Sequence, residues 1–419
     1  MNQDWIQRDQ RVIWHPYSPQ KYAVPPIPIQ KGDGVHLVDF NGKKYIDAIS
    51  SWWVTLHGHA HPFINSRISQ QAALLEQVIF AGFTHEPAIS LAEALLNRLP
   101  SEFSKIFYSD NGSTATEVAL KMALQFWSNQ DIRHRKTILA LRNAYHGDTF
   151  GAMSMSERGV FTYAFQDKLF DVRFIDPPTP SHPYPNDIDW DTVACLIYEP
   201  LVQGAGGMIM YEPEGLELLL QQCRQKEIIT IADEVMTGFF RTGRFLASDY
   251  CTSKPDIICL SKGLTGGVLP MGITACSARI HAQFVTDDRT KTFFHGHSFT
   301  ANPLACAAAI ASLELLFRPE CIDQVRMIEH EHRLFLQQLR QLGDQGKLVH
   351  PRMRGTILAF DVPQGNMNYL NTVNTERVKK ALDQGVVLRP LGNTLYILPP
   401  YCIKREELHQ VYSVILSLL

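Results

Sequence analysis

The chain has 419 residues, with 39 Lys plus Arg against 42 Asp plus Glu, for a formal charge of −3. That balance excludes the broad basic surface that nucleic acid or anionic lipid requires. Hydrophobic residues at 45% and charged residues at 19% exclude a disordered chain, and the length predicts two or three domains, or one large α/β domain carrying a smaller one.

In chain order, the first residues, MNQDWIQRDQRVIWHPY, lack the apolar core of a secretory signal. The turn signals KGDG and FNGKKY then mark short strands. An amphipathic helix is expected over 91–99, a strand over 105–110, a helix over 114–129 and a strand over 136–141. Ser113 and Glu117 stand near capping-box spacing at that second helix. Five prolines in DPPTPSHPYPNDIDW (176–190) forbid a regular element and predict a surface excursion. Strands follow at 193–200, 227–235 and 256–264, with a helix over 215–226. Short apolar runs alternating with helices indicate βαβ units and a mainly parallel sheet.

Beyond about 312 the layout changes to α+β: a long amphipathic helix (Cys321–Leu342), strands in ILAFDV, VVLRP and LYILPP, and a final helix from Lys404. The expected domains are therefore 56–311 as the large one and 312–419 as the small one, with the N-terminal segment 1–55 becoming part of the small one. No segment reads as membrane-spanning, since Ala301–Phe317 is broken by Asn302, Pro303 and Glu314. Eight cysteines without a CxxC pair predict reduced thiols in a cytoplasmic enzyme.

The strand ends carry the chemistry. Asn111-Gly112-Ser113, Tyr145-His146-Gly147, Glu199, Asp233-Glu234 and Lys262 each close one expected strand. Ligands bind outside the carboxyl ends of parallel strands, so these groups point to one site. Gly112 and Ser113 open a helix, where free N–H groups suit a phosphate; taken alone a plain N-cap explains them better, and the other strand ends reverse that. Lys262 after an apolar strand is a candidate amine nucleophile, and Asp233 lies 29 residues before it. Either alone reads as an ion-pair partner. Together with a phosphate cup they suit pyridoxal phosphate, which needs an amine for its aldehyde and an acid for its ring nitrogen. Tyr145 or His146 could stack on the ring, and Tyr145 is favoured.

SDNGSTATEVALKMA, NAYHGDTFGAMS, IADEVMTGFFRTG, CLSKGLTGG and ANPLACAAA resemble the class III aminotransferases over nearly the whole chain. The resemblance implies the type I pyridoxal phosphate fold: a large α/β domain with a mainly parallel, seven-stranded-type sheet and a smaller α+β domain from both termini. It implies that Gly112 and Ser113 hold the phosphate, Tyr145 stacks, Asp233 meets the ring nitrogen and Lys262 bonds the cofactor. Ser298 matches a position that reaches the phosphate of the neighbouring subunit, which implies a homodimer with shared active sites. WHPYS, ISSWWVTLHGHAHP and VVLRPLGNTLYILPPY are similar to the biotin-biosynthesis branch. That similarity implies 8-amino-7-oxononanoate as acceptor and S-adenosylmethionine as amino donor, lysine being the donor in some relatives. Tyr17, Trp52 and Arg389 then match the substrate pocket, with Arg389 meeting a carboxylate. A class III enzyme for a diamine or ω-amino acid stays open, as does a nucleotide-binding α/β protein without covalent cofactor.

Two departures stand out. GFFRTG has Phe240 at a usual glycine, so the turn there is expected to be rebuilt, and FHGHSFTANP replaces a glycine-proline-threonine phosphate segment around His297 and Ser298. His57, His59 and His61 alternate as metal ligands might, but Gly58 and Pro62 favour a turn. Glu199 and Asp148 read as supporting acids. Trp52 and Trp53 would face opposite ways on a strand, leaving one at most in the pocket.

Overall fold

The computed structural model describes residues 2–21, 24–364 and 373–419. A seven-stranded sheet runs in the spatial order Phe103–Ser109, Gly272–Ser277, Ile257–Leu260, Ile229–Asp233, Val193–Tyr198, Thr137–Leu141, Arg173–Ile175. Every pairing is parallel except those of Gly272–Ser277, which runs antiparallel to both neighbours. The central strands are short apolar runs because both faces are covered. Ile138, Ala140, Ile197, Ile231 and Cys259 pack on one side, against Val118, Ala119, Met122 and Phe126 of helix Gly112–Asn129. Leu139, Leu141, Leu196, Tyr198, Ala232 and Leu260 point the other way, into a core shared with Leu216, Leu219 and Leu220 of helix Pro213–Gln225. This period of two locks the register, since a one-residue slip would exchange the two cores.

Helix Gly112–Asn129 starts earlier than its periodicity suggests, and its cap differs from the expected one. The Asn111 side chain accepts from the Thr114 amide (2.9 Å), while the Asn111 amide donates to the Thr114 hydroxyl (3.2 Å). Glu117 lies one turn too far along to cap; its carboxylate accepts from the Thr149 hydroxyl and the Ala152 amide. The stretch 176–189 carries neither helix nor strand, as its prolines require.

The two ends of the chain meet in a four-stranded sheet, where Lys44–Asp47 pairs in parallel with Val386–Val387. Strands Val349–Arg354, Ile357–Asp361 and Thr394–Ile397 form a separate antiparallel sheet. Helix Pro319–Asp344 is tied to helix Arg405–Ser417 through His332. Its Nδ1 accepts from the Tyr412 hydroxyl (2.7 Å) and its Nε2–H donates to the Thr356 carbonyl (3.1 Å). That tautomer is neutral, and burial lowers its pKa to about 4. Among the described residues no helix is long and apolar enough to cross a membrane.

Candidate active site

A cavity of about 430 Å³ opens beyond the carboxyl ends of the parallel strands, lined by Gly112, Ser113, Tyr145, Asp233 and Lys262 among others. Five of the residues singled out from the sequence therefore converge on one space. Asp233 ends strand Ile229–Asp233; one carboxylate oxygen accepts from the Val235 amide (3.1 Å) and the other from His146 Nδ1 (2.7 Å). The carboxylate can only accept, so the proton on that imidazole sits on Nδ1. The sequence pattern offers His146 only as an alternative ring-stacker; the fold instead sets it behind Asp233, buried, with Nε2 lacking a partner.

Lys262 follows strand Ile257–Leu260 in a left-handed conformation (φ 46°), and its amine lies 5.1 Å from the Trp53 ring centroid. Burial lowers its pKa, opposed by the charges of Asp233, Glu199 and Asp148. A depressed amine pKa raises the fraction of neutral nucleophile. Glu199 joins two loops, accepting from the Tyr145 amide (3.1 Å) and the Gly204 amide (2.9 Å). Burial, with Asp233 nearby, pushes its carboxyl up to about 7 despite the opposing His146.

The first turn of helix Gly112–Asn129 also lines the cavity. A Cβ at Gly112 would come within 2.8 Å of Val235 Cγ1, and one at Gly147 (φ 134°) within 2.2 Å of Ser113 Oγ. Glycine at both lets the backbone approach, and the helix amides suit an anion.

A second chamber of about 360 Å³ shares Trp53, Tyr145 and Lys262 with the first and adds Tyr17, Trp52 and Phe161. The expectation of a strand at Trp52-Trp53 is corrected here. Ser50, Ser51, Trp52 and Trp53 form one left-handed turn (φ 52°, 45°, 69° and 77°), which brings both indoles to the chamber. Tyr17 meets Trp52 edge-on at 5.2 Å, and its hydroxyl donates to Asp148. The Arg389 guanidinium lies 4.3 Å over the Trp52 ring. Burial, and then the contact with Tyr17, pushes the Tyr145 hydroxyl pKa far above its usual value.

Ser298 does not line these cavities in its own chain; it is exposed, and its carbonyl accepts from Gln77 (2.5 Å). The turn at Phe240 is not rebuilt: Phe239 and Phe240 keep φ at 61° and 69°, held by hydrogen bonds to the Phe245 carbonyl. His57 bonds Ser312 and His59 bonds Asp47, and among the described residues no group of three metal-ligating side chains occurs.

Residues 17–419 match the family model "Aminotransferase class-III". An adenosylmethionine-8-amino-7-oxononanoate aminotransferase of Synechococcus elongatus is 47% identical, covering 97% of this chain and 98% of the relative. The crystal structure of the enzyme so named from Methanocaldococcus jannaschii superposes with a TM-score of 0.90 at 31% identity, over 100% of this chain and 99% of that one. An amine transaminase from an uncultivated Pseudomonas species, in its PLP-bound form, gives a TM-score of 0.87 at 29% identity, covering 97% and 98% of the two chains.

Proposed function

The chain belongs to the class III aminotransferases, and we propose that it transfers an amino group from S-adenosylmethionine to 8-amino-7-oxononanoate, yielding 7,8-diaminononanoate for biotin synthesis. Its cofactor is pyridoxal phosphate. The donor set fits that group: an amine, a buried carboxylate and a glycine-opened helix N-terminus surround one cavity. When bound, pyridoxal phosphate supplies a ring that withdraws electrons from the carbon bearing the transferred nitrogen.

The residues then divide the work. The Gly112 and Ser113 amides would hold the phosphate, the Tyr145 ring would cover the cofactor's ring, and Asp233, oriented by the His146 Nδ1 proton, would keep the ring nitrogen protonated. Lys262 would hold the cofactor through its aldehyde, and its amine, when free, would take the proton from the substrate carbon that bears the amino group and hand it on across the intervening nitrogen. Arg389, stacked on Trp52, meets the acceptor's carboxylate, while Tyr17 and Trp52 wall its aliphatic chain.

Two copies form the working enzyme in this reading. Leu74, Ile79, Phe83, Phe294 and Phe299 are exposed on two segments that Gln77 and Asn302 tie together beside Ser298. The eight unpaired thiols suit a cytoplasmic location.

The observation that carries this reading is the convergence of Lys262, Asp233 and a helix N-terminus on one cavity. Purified enzyme given 8-amino-7-oxononanoate and each candidate donor should yield 7,8-diaminononanoate, by product mass, with adenosylmethionine. Lys262→Ala should abolish turnover. Near-normal transamination by that variant would overturn the assignment.

A further inference from the structure

Behind Tyr145 lies a third cavity, of about 310 Å³, that the reaction as described leaves unused. It shares Tyr145 and Gly147 with the main cavity and Tyr145, Phe161, Ala205 and Leu391 with the second chamber. A ligand reacting at Lys262 can therefore send a tail past Tyr145 into it. The volume falls at the lower end of what small-molecule sites enclose.

Its chemistry is selective. The lining cation, Arg158, is already committed to four backbone carbonyls, those of Met153, Ser154, Ser156 and Phe170. Its Nη1 group is spent on the first three of these and one Nη2 hydrogen on the fourth, so most of its donors already point at backbone. Beside it stands a carboxylate, Glu157, which accepts one bond per oxygen, from the Asn143 amide (3.2 Å) and from its own neighbour's amide at Arg158 (3.2 Å). Each oxygen keeps a lone pair for a further donor. The Phe161 ring, 5.7 Å from the Tyr145 ring, adds a flat apolar wall. A cation turned largely to backbone carbonyls, an open carboxylate and an aromatic face favour hydrogen-bond donors over anions. They suit a flat ring joined to neighbouring hydroxyls, and they favour a positive charge nearby.

We infer that this cavity receives the nucleoside half of the amino donor, with Glu157 accepting from the ribose hydroxyls and Phe161 against the base. A carboxylate on a ribose diol is a recurrent solution for adenosine recognition. The inference rests on adenosylmethionine being the donor. It adds that donor and acceptor diverge at Tyr145, the donor's tail entering this cavity and the acceptor's chain running towards Arg389.

The test compares the two halves of the reaction. Holoenzyme is mixed with adenosylmethionine or with 7,8-diaminononanoate, and the cofactor's absorbance change is followed by stopped flow. In Glu157→Leu the concentration of adenosylmethionine giving half the maximal rate should rise about tenfold, from loss of charge-assisted hydrogen bonds. Glu157→Gln, which keeps one acceptor oxygen, should show a smaller rise. The diaminononanoate half-reaction and the melting temperature should stay at wild-type values. 5′-Methylthioadenosine, which has no amine to react, should compete with adenosylmethionine in the wild type and bind more weakly to Glu157→Leu. If both half-reactions weaken equally, or neither changes, the assignment falls while the donor reading stands. A wild-type enzyme that reacts with lysine but ignores adenosylmethionine overturns the donor reading, and the cavity assignment with it.

Discussion

Replacing Gly112 with alanine sets a local gain against a tertiary loss, and the distances decide between them. Alanine raises helix propensity by up to about 1 kcal/mol in a helix interior, and by less at the first position. Its Cβ, however, would sit 2.8 Å from Val235 Cγ1, 3.3 Å from Cγ2 and 3.7 Å from Ser261 Cβ. Carbon atoms prefer about 3.5–4.0 Å, so the nearest contact is roughly 1 Å too short. Val235 is buried and β-branched, so it cannot swing aside cheaply. Overpacking of this kind costs about 1–3 kcal/mol, which outweighs the propensity gain. Relief comes from pushing the helix start off the strand end, and that moves the amides at Ser113. A loss of about 1.4 kcal/mol in phosphate binding is a tenfold weaker cofactor complex. Titrating apoenzyme with pyridoxal phosphate by fluorescence measures this, for Gly112→Ala, Val235→Ala and the double variant. The coupling should be favourable, the double variant binding more tightly than the singles predict together. Wild-type affinity in Gly112→Ala, or strict additivity in the cycle, would refute the argument that this glycine exists for backbone approach.

Three further outcomes follow from the geometry. Arg389→Ala should raise the acceptor's KM about tenfold or more, the scale of a lost charge-assisted pair; an unchanged KM would remove Arg389 from the substrate site. His332, held neutral with its pKa lowered to about 4, binds fewer protons folded than unfolded between about pH 4 and 6.5. Stability should therefore drop by about 2 kcal/mol between pH 7 and pH 5 on its account. Urea midpoints should show a flatter pH dependence in His332→Gln by that amount, and parallel curves would show that His332 is not the group titrating. Phe240→Gly relieves the strain of φ 69° but removes ring contacts with Phe245 (6.0 Å) and Phe317 (5.6 Å). Packing should win by about 1–2 kcal/mol, and a raised melting temperature in the glycine variant would reverse that ranking.

The central strands were legible because they are buried on both faces, and such strands announce themselves as short apolar runs. Lys262 and Asp233 were legible for a related reason: a charged residue closing an apolar run marks the edge where the sheet meets its ligand. His146 was not. Nothing local distinguishes a histidine that stacks from one that holds a carboxylate 87 residues away in the chain, and only the parallel pairing of the strands joins it to Asp233. Strand Gly272–Ser277 was equally silent, being a six-residue run after a glycine-rich turn that enters the sheet against the prevailing direction. The cap at Asn111 went unread because the more obvious pair, Ser113 and Glu117, has the residue types but lies too far into the helix.

The least legible feature is also the one nearest the chemistry. Left-handed backbone normally selects glycine or asparagine, yet Ser50, Ser51, Trp52, Trp53 and Lys262 adopt it around one space. Each carries a penalty of about 1–2 kcal/mol that local sequence does little to offset. The offset is mostly tertiary: the Ser50 hydroxyl donates to the Leu398 carbonyl (2.7 Å) and the Trp53 indole to Tyr396 (3.0 Å), with Ser51 donating to nearby Asp47 (2.8 Å). Arg241, buried beneath, donates to the carbonyls of Trp53, Thr55 and Pro399. Asp47 lies four residues before Ser51, but Leu398, Tyr396 and Arg241 lie some 190 to 350 residues away from the turn they hold, so no window of sequence contains both the strain and most of its support. Glycine would remove the strain, but it would also remove the two indoles that face the substrate chamber. The backbone is bent here to carry side chains that a relaxed turn could not present, which is why local rules fail at this site while they hold in the sheet behind it.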